Sequence, residues 1–199
     1  MLRTVRIAAW VLVAIVIVVG AILWLRSSES DPRYTQTTEM VPIGGPFELT
    51  ASDGRRFSSA TLTGRPYAVF FGFTHCPDVC PTTLARLVKL RKQLGKSDQS
   101  FEIVLISVDP ERDTPSELAS YVGLFGAPVT ALTGSVADID RVKRLFGAYS
   151  AKAPGKDGNY GVDHTATVFL MDRWGKFRAT IAPDEGDAAA LDKLRGLTA

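Results

Sequence analysis

The sequence predicts an α/β layer fold with a mixed β-sheet, preceded by one N-terminal membrane-spanning helix. Three observations predict it. Residues 67–73 and 101–108 are near-continuous apolar runs, as expected for strands buried on both faces. Amphipathic stretches with helical spacing follow each of them. Residues 7–25 are 19 consecutive residues without a charge. As a helix at ~1.5 Å per residue they cover roughly 29 Å, about one bilayer core.

The elements follow in chain order. Residues 47–50 and 56–58 flank Ser52-Asp-Gly54, an Asp-Gly turn between short strands. Gly64-Arg-Pro66 is a second turn, and 67–73 is the first buried strand. Pro81 lies in a helical first turn, where proline is well placed. Leu84, Leu87, Val88 and Leu94 form the apolar stripe of that helix. Strand 101–108 comes next. Thr114-Pro-Ser-Glu117 is a capping box opening a helix that continues through Phe125. Residues 131–133 are a short strand, and 136–149 a third helix with Ile139, Val142, Leu145 and Phe146 inward. Residues 151–163, rich in Gly, Lys, Pro and Asp, read as a loop. A strand at 165–171 turns back into 177–181, and 187–197 is a terminal helix. Strands alternating with helices imply a layered α/β sheet. Right-handed crossovers gather the strand-to-helix turns at one sheet edge.

Domain organisation follows from the apolar run. Residues 1–6 form a short cytoplasmic N-terminus, 7–25 a transmembrane anchor, 26–42 a polar linker and 43–199 the folded domain. Trp10 and Trp24 sit near the two ends of the run, where aromatics favour the membrane interface. No small-residue cleavage site closes it, which argues against a removed signal peptide. Arg3 and Arg6 precede it, so the positive-inside rule places the N-terminus in the cytoplasm and the domain outside. The expected location is a bacterial inner membrane or its equivalent, single-pass, with the domain in the periplasm. The chain is formally +2; the first 26 residues hold three arginines and no acid, so the remainder is −1. No basic run with interleaved aromatics occurs, which excludes a nucleic-acid role.

The chemistry centres on two cysteines in Phe73-Thr-His-Cys-Pro-Asp-Val-Cys-Pro-Thr82. Cys76 and Cys80 lie at a strand-to-helix turn, where ligand sites tend to form. A loop this short makes a purely structural disulfide worth little. Redox exchange and metal binding both remain open. Unpaired N–H groups at a helix start favour thiolate, the form both functions use. Thioredoxin-like exchange usually shows two-residue spacing; three residues put the thiols one helical turn apart on one face. His164, far along the chain, is a candidate third ligand. Two thiolates and one imidazole suit copper(I), and copper(II) with an added water or weak oxygen. Structural zinc normally takes four protein ligands. His75 is expected to turn away. Asp109 and Asp113 read as a solvated helix-capping turn at the same sheet edge. Asp78 and Asp163 read as turn residues with second-sphere reach.

Phe71-Gly-Phe-Thr-His-Cys-Pro-Asp-Val-Cys-Pro-Thr-Thr-Leu84, Ser107-Val-Asp-Pro-Glu-Arg-Asp-Thr-Pro115, Leu132-Thr-Gly-Ser135 and Val162-Asp-His-Thr165 resemble the successive motifs of the Sco/SenC family. The resemblance runs from about residue 41 to residue 181. It implies a thioredoxin-like fold and a copper chaperone, or metallochaperone, acting in assembly of the dinuclear copper centre of cytochrome c oxidase. It implies Cys76, Cys80 and His164 as copper ligands. Implied partners are the copper-bearing oxidase subunit, other copper carriers or thiol reductants, and the bilayer through residues 7–25. The alternative is a thiol–disulfide oxidoreductase in which Cys76 and Cys80 are the redox-active pair. The tail after Ile181, acidic and alanine-rich, departs from the family pattern.

Overall fold

The structure is a computed structural model that describes residues 2–27, 42–95, 100–154 and 160–199. Contacts divide the chain into two units, Met1–Val41 and Pro42–Ala199. In the first, α1 spans Leu2–Ser27. Its described side chains from Trp10 to Trp24 are apolar but for Gly20 and exposed all round. Among the described residues no helix is long and apolar enough to cross a membrane. That continuous described stretch is 15 residues, against the ~20 a bilayer needs. The expected span 7–25 also includes positions 8, 9 and 25, whose side chains lie outside the described residues. So does almost all of the expected linker, 26–42.

The second unit is built on a seven-stranded mixed sheet. Its strands are β1 (Glu48–Ala51), β2 (Arg56–Ser58), β3 (Tyr67–Gly72), β4 (Glu102–Ser107), β5 (Thr130–Thr133), β8 (Val168–Met171) and β9 (Phe177–Ile181), ordered β2-β1-β5-β4-β3-β8-β9. β3, β4 and β5 are parallel, and β8 joins antiparallel to β3. Every residue of β3 is buried, as its unbroken apolar run requires. Helices α2 (Val79–Gln93) and α3 (Pro115–Gly123) make the two crossovers between parallel strands. Both run in the same direction across the sheet, so right-handed connections put them on one face. The helices α4 (Val136–Phe146) and α5 (Asp187–Leu197) complete the layers.

Only half of the expected capping box forms, since Thr114 N donates to Arg112 O at 3.0 Å and not to the Glu117 side chain. The Thr114 hydroxyl accepts from Glu117 N at 3.3 Å, and Ser135 caps α4 by accepting from Asp138 N at 3.1 Å. Gly147, with φ at +62°, ends α4 in the left-handed region. That stop falls before Tyr149, where the helical pattern alone places the end.

The described residues of 151–163 are strand, not loop. They contribute β6 (Ser150–Pro154) and β7 (Tyr160–His164), an antiparallel two-stranded sheet of its own. Nor is Asp109–Asp113 a solvated turn, since both aspartates are buried.

Topology brings one late residue to the cysteines. The turn after β3 and the loop after β4 leave the sheet at the same edge, where Gly72 pairs with Ser107 and Val108 N donates to Gly72 O at 2.9 Å. Because β8 is antiparallel to β3, it begins where β3 ends, with Val168 opposite Phe70. His164, just ahead of β8, therefore arrives at that edge.

Candidate metal centre

Cys80 is the second residue of α2 and fully buried, while Cys76 sits out on the turn and is half-buried. Both thiols are free. Cys80 N donates to Cys76 Sγ at 3.4 Å, so the helix start does direct an amide at sulfur. His164 Nε2 lies 3.5 Å from Cys80 Sγ. The two sulfurs and one imidazole nitrogen all lie within 4.8 Å of one another, close enough for one ion to touch all three. Among the described residues this is the one cluster of such groups.

The imidazole is held ready to donate. His164 Nδ1 is 3.1 Å from Thr165 O. A carbonyl only accepts, so Nδ1 carries the proton and the Nε2 lone pair faces the thiols. Phe70 and Phe73 meet the ring edge-on, with centroids 6.0 and 5.7 Å away. This hydrogen bond to the second nitrogen is the usual support of a metal-ligating histidine.

One electrostatic expectation is reversed. Burial pushes the Cys80 thiol well up, outweighing the amide that faces the turn from Phe73. Without a metal, burial keeps Cys80 as the protonated thiol, its sulfur 3.5 Å from His164 Nε2. A cation at the centre supplies the charge that burial withholds, and its binding releases that proton.

The remaining residues sort cleanly. His75 turns away: its Nδ1 lies 3.0 Å from Thr74 Oγ1 and 4.0 Å from Asp113. Asp78 precedes α2 and accepts from Thr82 Oγ1 at 3.2 Å. Asp163 is exposed on β7. Asp113, fully buried, accepts from Thr74 Oγ1 and from Ser107 Oγ, each at 2.6 Å, and so ties the cysteine turn to the end of β4.

Sequence reasoning missed Tyr121, Arg112 and Tyr160. The Tyr121 hydroxyl is buried with no hydrogen-bond partner. Its pKa is pushed up, chiefly by burial. Tyr121 reads as one more apolar position of α3, and no spacing signal marks it out.

A thioredoxin-like α/β domain with two sulfurs and one imidazole at a sheet edge defines the class. A family model described as SCO1/SenC matches residues 35–199. An SCO2-like protein of Rickettsia felis is 34% identical over 193 residues, covering 94% of each chain. The structure of Bradyrhizobium japonicum ScoI with copper bound is 40% identical, with a TM-score of 0.70, covering 78% of this chain and 99% of that one. A structure describing a disulfide switch in BsSco, a member of the Sco family of cytochrome c oxidase assembly proteins, is 25% identical, with a TM-score of 0.60, covering 79% and 95%. The chain belongs to the SCO1/SenC family.

Proposed function

We propose that this protein carries copper to, or prepares, the dinuclear copper centre of cytochrome c oxidase during assembly. Copper is its cargo, held by Cys76, Cys80 and His164. The observation that carries the reading is the convergence of those three donor atoms within 4.8 Å. Family membership supports it, as does copper bound in the Bradyrhizobium japonicum relative. Two soft thiolates and one imidazole favour Cu(I), and Cu(II) fits the same donors with an added oxygen. Three donors hold an ion loosely enough for exchange to a partner's ligands. The thioredoxin-like edge presents Cys76 outward, so it is the thiol a partner meets first. The oxidase subunit that takes up the ion is the partner this reading implies.

The anchor belongs to the same proposal. The uncharged run 7–25, with Trp10 and Trp24 near its two ends and Arg3 and Arg6 before it, supports a single span with the domain outside the cytoplasm. A thiol–disulfide role is the second reading, favoured by the two free thiols one helical turn apart. The two are compatible, since only the reduced pair binds copper.

The test is copper uptake by the reduced full chain in detergent. The expected stoichiometry is about one ion per chain, with sulfur and nitrogen ligands. His164→Ala should weaken Cu(I) binding by at least about tenfold, the lower end of what even outer-sphere changes cost. A variant that keeps parental affinity removes the imidazole from the donor set.

A further inference from the structure

The donor set is assembled from two separate pieces of backbone. Cys76 stands on the turn after β3 and Cys80 in the first turn of α2, while the imidazole ends β7, in a two-stranded sheet that shares no ladder with the main one. The reach from His164 to Cys80 is a 3.5 Å contact, so a small rotation of the hairpin removes it. The loop between β4 and α3 is bonded to both pieces.

Toward the hairpin, it engages Tyr160, the first residue of β7. Tyr160 Oη donates to Asp109 Oδ1 at 2.7 Å. The Arg112 guanidinium lies over the Tyr160 ring, 3.7 Å from its centroid, and donates through Nη1 to Tyr160 O at 3.1 Å. Arg112 Nε also donates to Asp109 Oδ2 at 2.5 Å. One carboxylate thus bridges the ring's hydroxyl and the cation that covers the ring. Asp109 is 2% exposed, so these are charge-assisted bonds away from bulk water. Lys152 adds an exposed pair with Glu111, a weak contact by comparison. Toward the thiols, the same loop ends in Asp113, which holds Thr74, two residues ahead of Cys76.

We propose that Asp109, Arg112 and Tyr160 form a positioning clamp that fixes the His164 hairpin over the cysteine turn, so that the loop 109–113 keeps both halves of the donor set in register. The proposal rests on the reading of His164 as a donor. The clamp acts through the hairpin; no contact of its three side chains with a sulfur or with the imidazole is part of it. An apolar contact would dock the hairpin without fixing its angle. A planar guanidinium stacked on a ring and bonded at its edge fixes both position and orientation.

The test uses the reduced full chain in detergent, titrated with Cu(I) against a chromophoric chelator. Arg112→Gln should lower affinity about tenfold, and Tyr160→Phe about fivefold, the weight of one hydrogen bond. X-ray absorption should show nitrogen ligation falling relative to sulfur in both. Neither change should lower affinity further when His164 is already alanine. Parental affinity in both variants, or an undiminished loss on the His164→Ala background, overturns the clamp. If Arg112→Gln fails to fold, Tyr160→Phe decides, because it keeps the ring and loses only the hydroxyl.

A metal-free arm separates this proposal from the copper reading. In both variants the β7 amides should exchange hydrogen about tenfold faster while those of β3 and β4 keep parental rates. A parent chain that takes up no copper, with that selective exchange intact, sinks the carrier reading and leaves the clamp standing. Parental exchange across β7 in both variants overturns the clamp.

Discussion

At Gly72 the absence of a side chain leaves room for the Cys80 sulfur. A Cβ there would lie 2.8 Å from Phe70 Cε1, 3.0 Å from Cys80 Sγ and 3.3 Å from Leu105 Cδ1. All three neighbours are buried, so none swings into solvent. Gly72→Ala should therefore destabilise the metal-free chain by about 1–3 kcal/mol, the usual cost of overpacking a filled core. Urea unfolding measures it, and parental stability would refute the steric argument. The same crowding explains the thiol chemistry. The sulfur that Gly72 accommodates is shut away from water, and burial outweighs the helix start in setting its proton affinity. The residue types at Cys76, Cys80 and His164 mark a candidate donor set in the sequence, because few chemistries use that combination, and the fold brings their three atoms within 4.8 Å of one another. The sign of the Cys80 shift is not legible there, because sequence shows a helix start but not how deeply the second residue of that helix lies.

Among the elements, the pattern was legible wherever a face is buried. β3, β4 and α5 stand where their apolar runs and stripes place them, α5 at Asp187–Leu197 itself. The β6–β7 pair reads as loop in the sequence because its residues are mostly exposed or half-buried, with Val162 its one buried side chain. A two-stranded sheet without a buried face has no alternation to display. It is joined instead to the loop after β4 by Arg112 and Tyr160, a contact across the chain that spacing does not reveal. The α2–α5 pairing has a similar long-range origin. Asp187 accepts from Arg86 Nε at 2.8 Å and from Lys89 Nζ at 2.9 Å. Lys89 first, then Arg86, holds its carboxyl below the ordinary value of 3.8. A carboxyl depressed in the folded chain contributes its stability above the unfolded value. It loses that contribution as pH falls through the folded one. Between about pH 5 and about pH 3, protection of α5 amides from hydrogen exchange should fall faster in the parent than in Asp187→Asn. Identical pH profiles would show that the two cations contribute nothing to docking α5.

The chain divides into two units whose described surfaces differ in kind. Pro42–Ala199 has its own hydrophobic core around β3 and β4, although Leu124 and Trp174 stay exposed. In α1 the described residues Ile7, Trp10 and Leu23 are each more than 60% exposed, on a helix that is apolar on every side. A helix of that kind has no polar face to give to water and is stable where its whole surface is covered, as in lipid or detergent. Among the described residues, every strand of the sheet and every donor of the sheet-edge site comes from Pro42–Ala199. Removing residues 1–41 should therefore leave thermal unfolding of the domain within about 2 °C of the full chain, less than 1 kcal/mol shifts Tm in a domain this size. The same deletion should move the protein from the detergent-rich to the aqueous phase in a cloud-point partition. Copper affinity should stay at the parental value, because all three donors remain in the retained unit. A truncated chain that still enters the detergent phase would place the membrane-seeking surface on the domain itself and remove the anchor from the N-terminus.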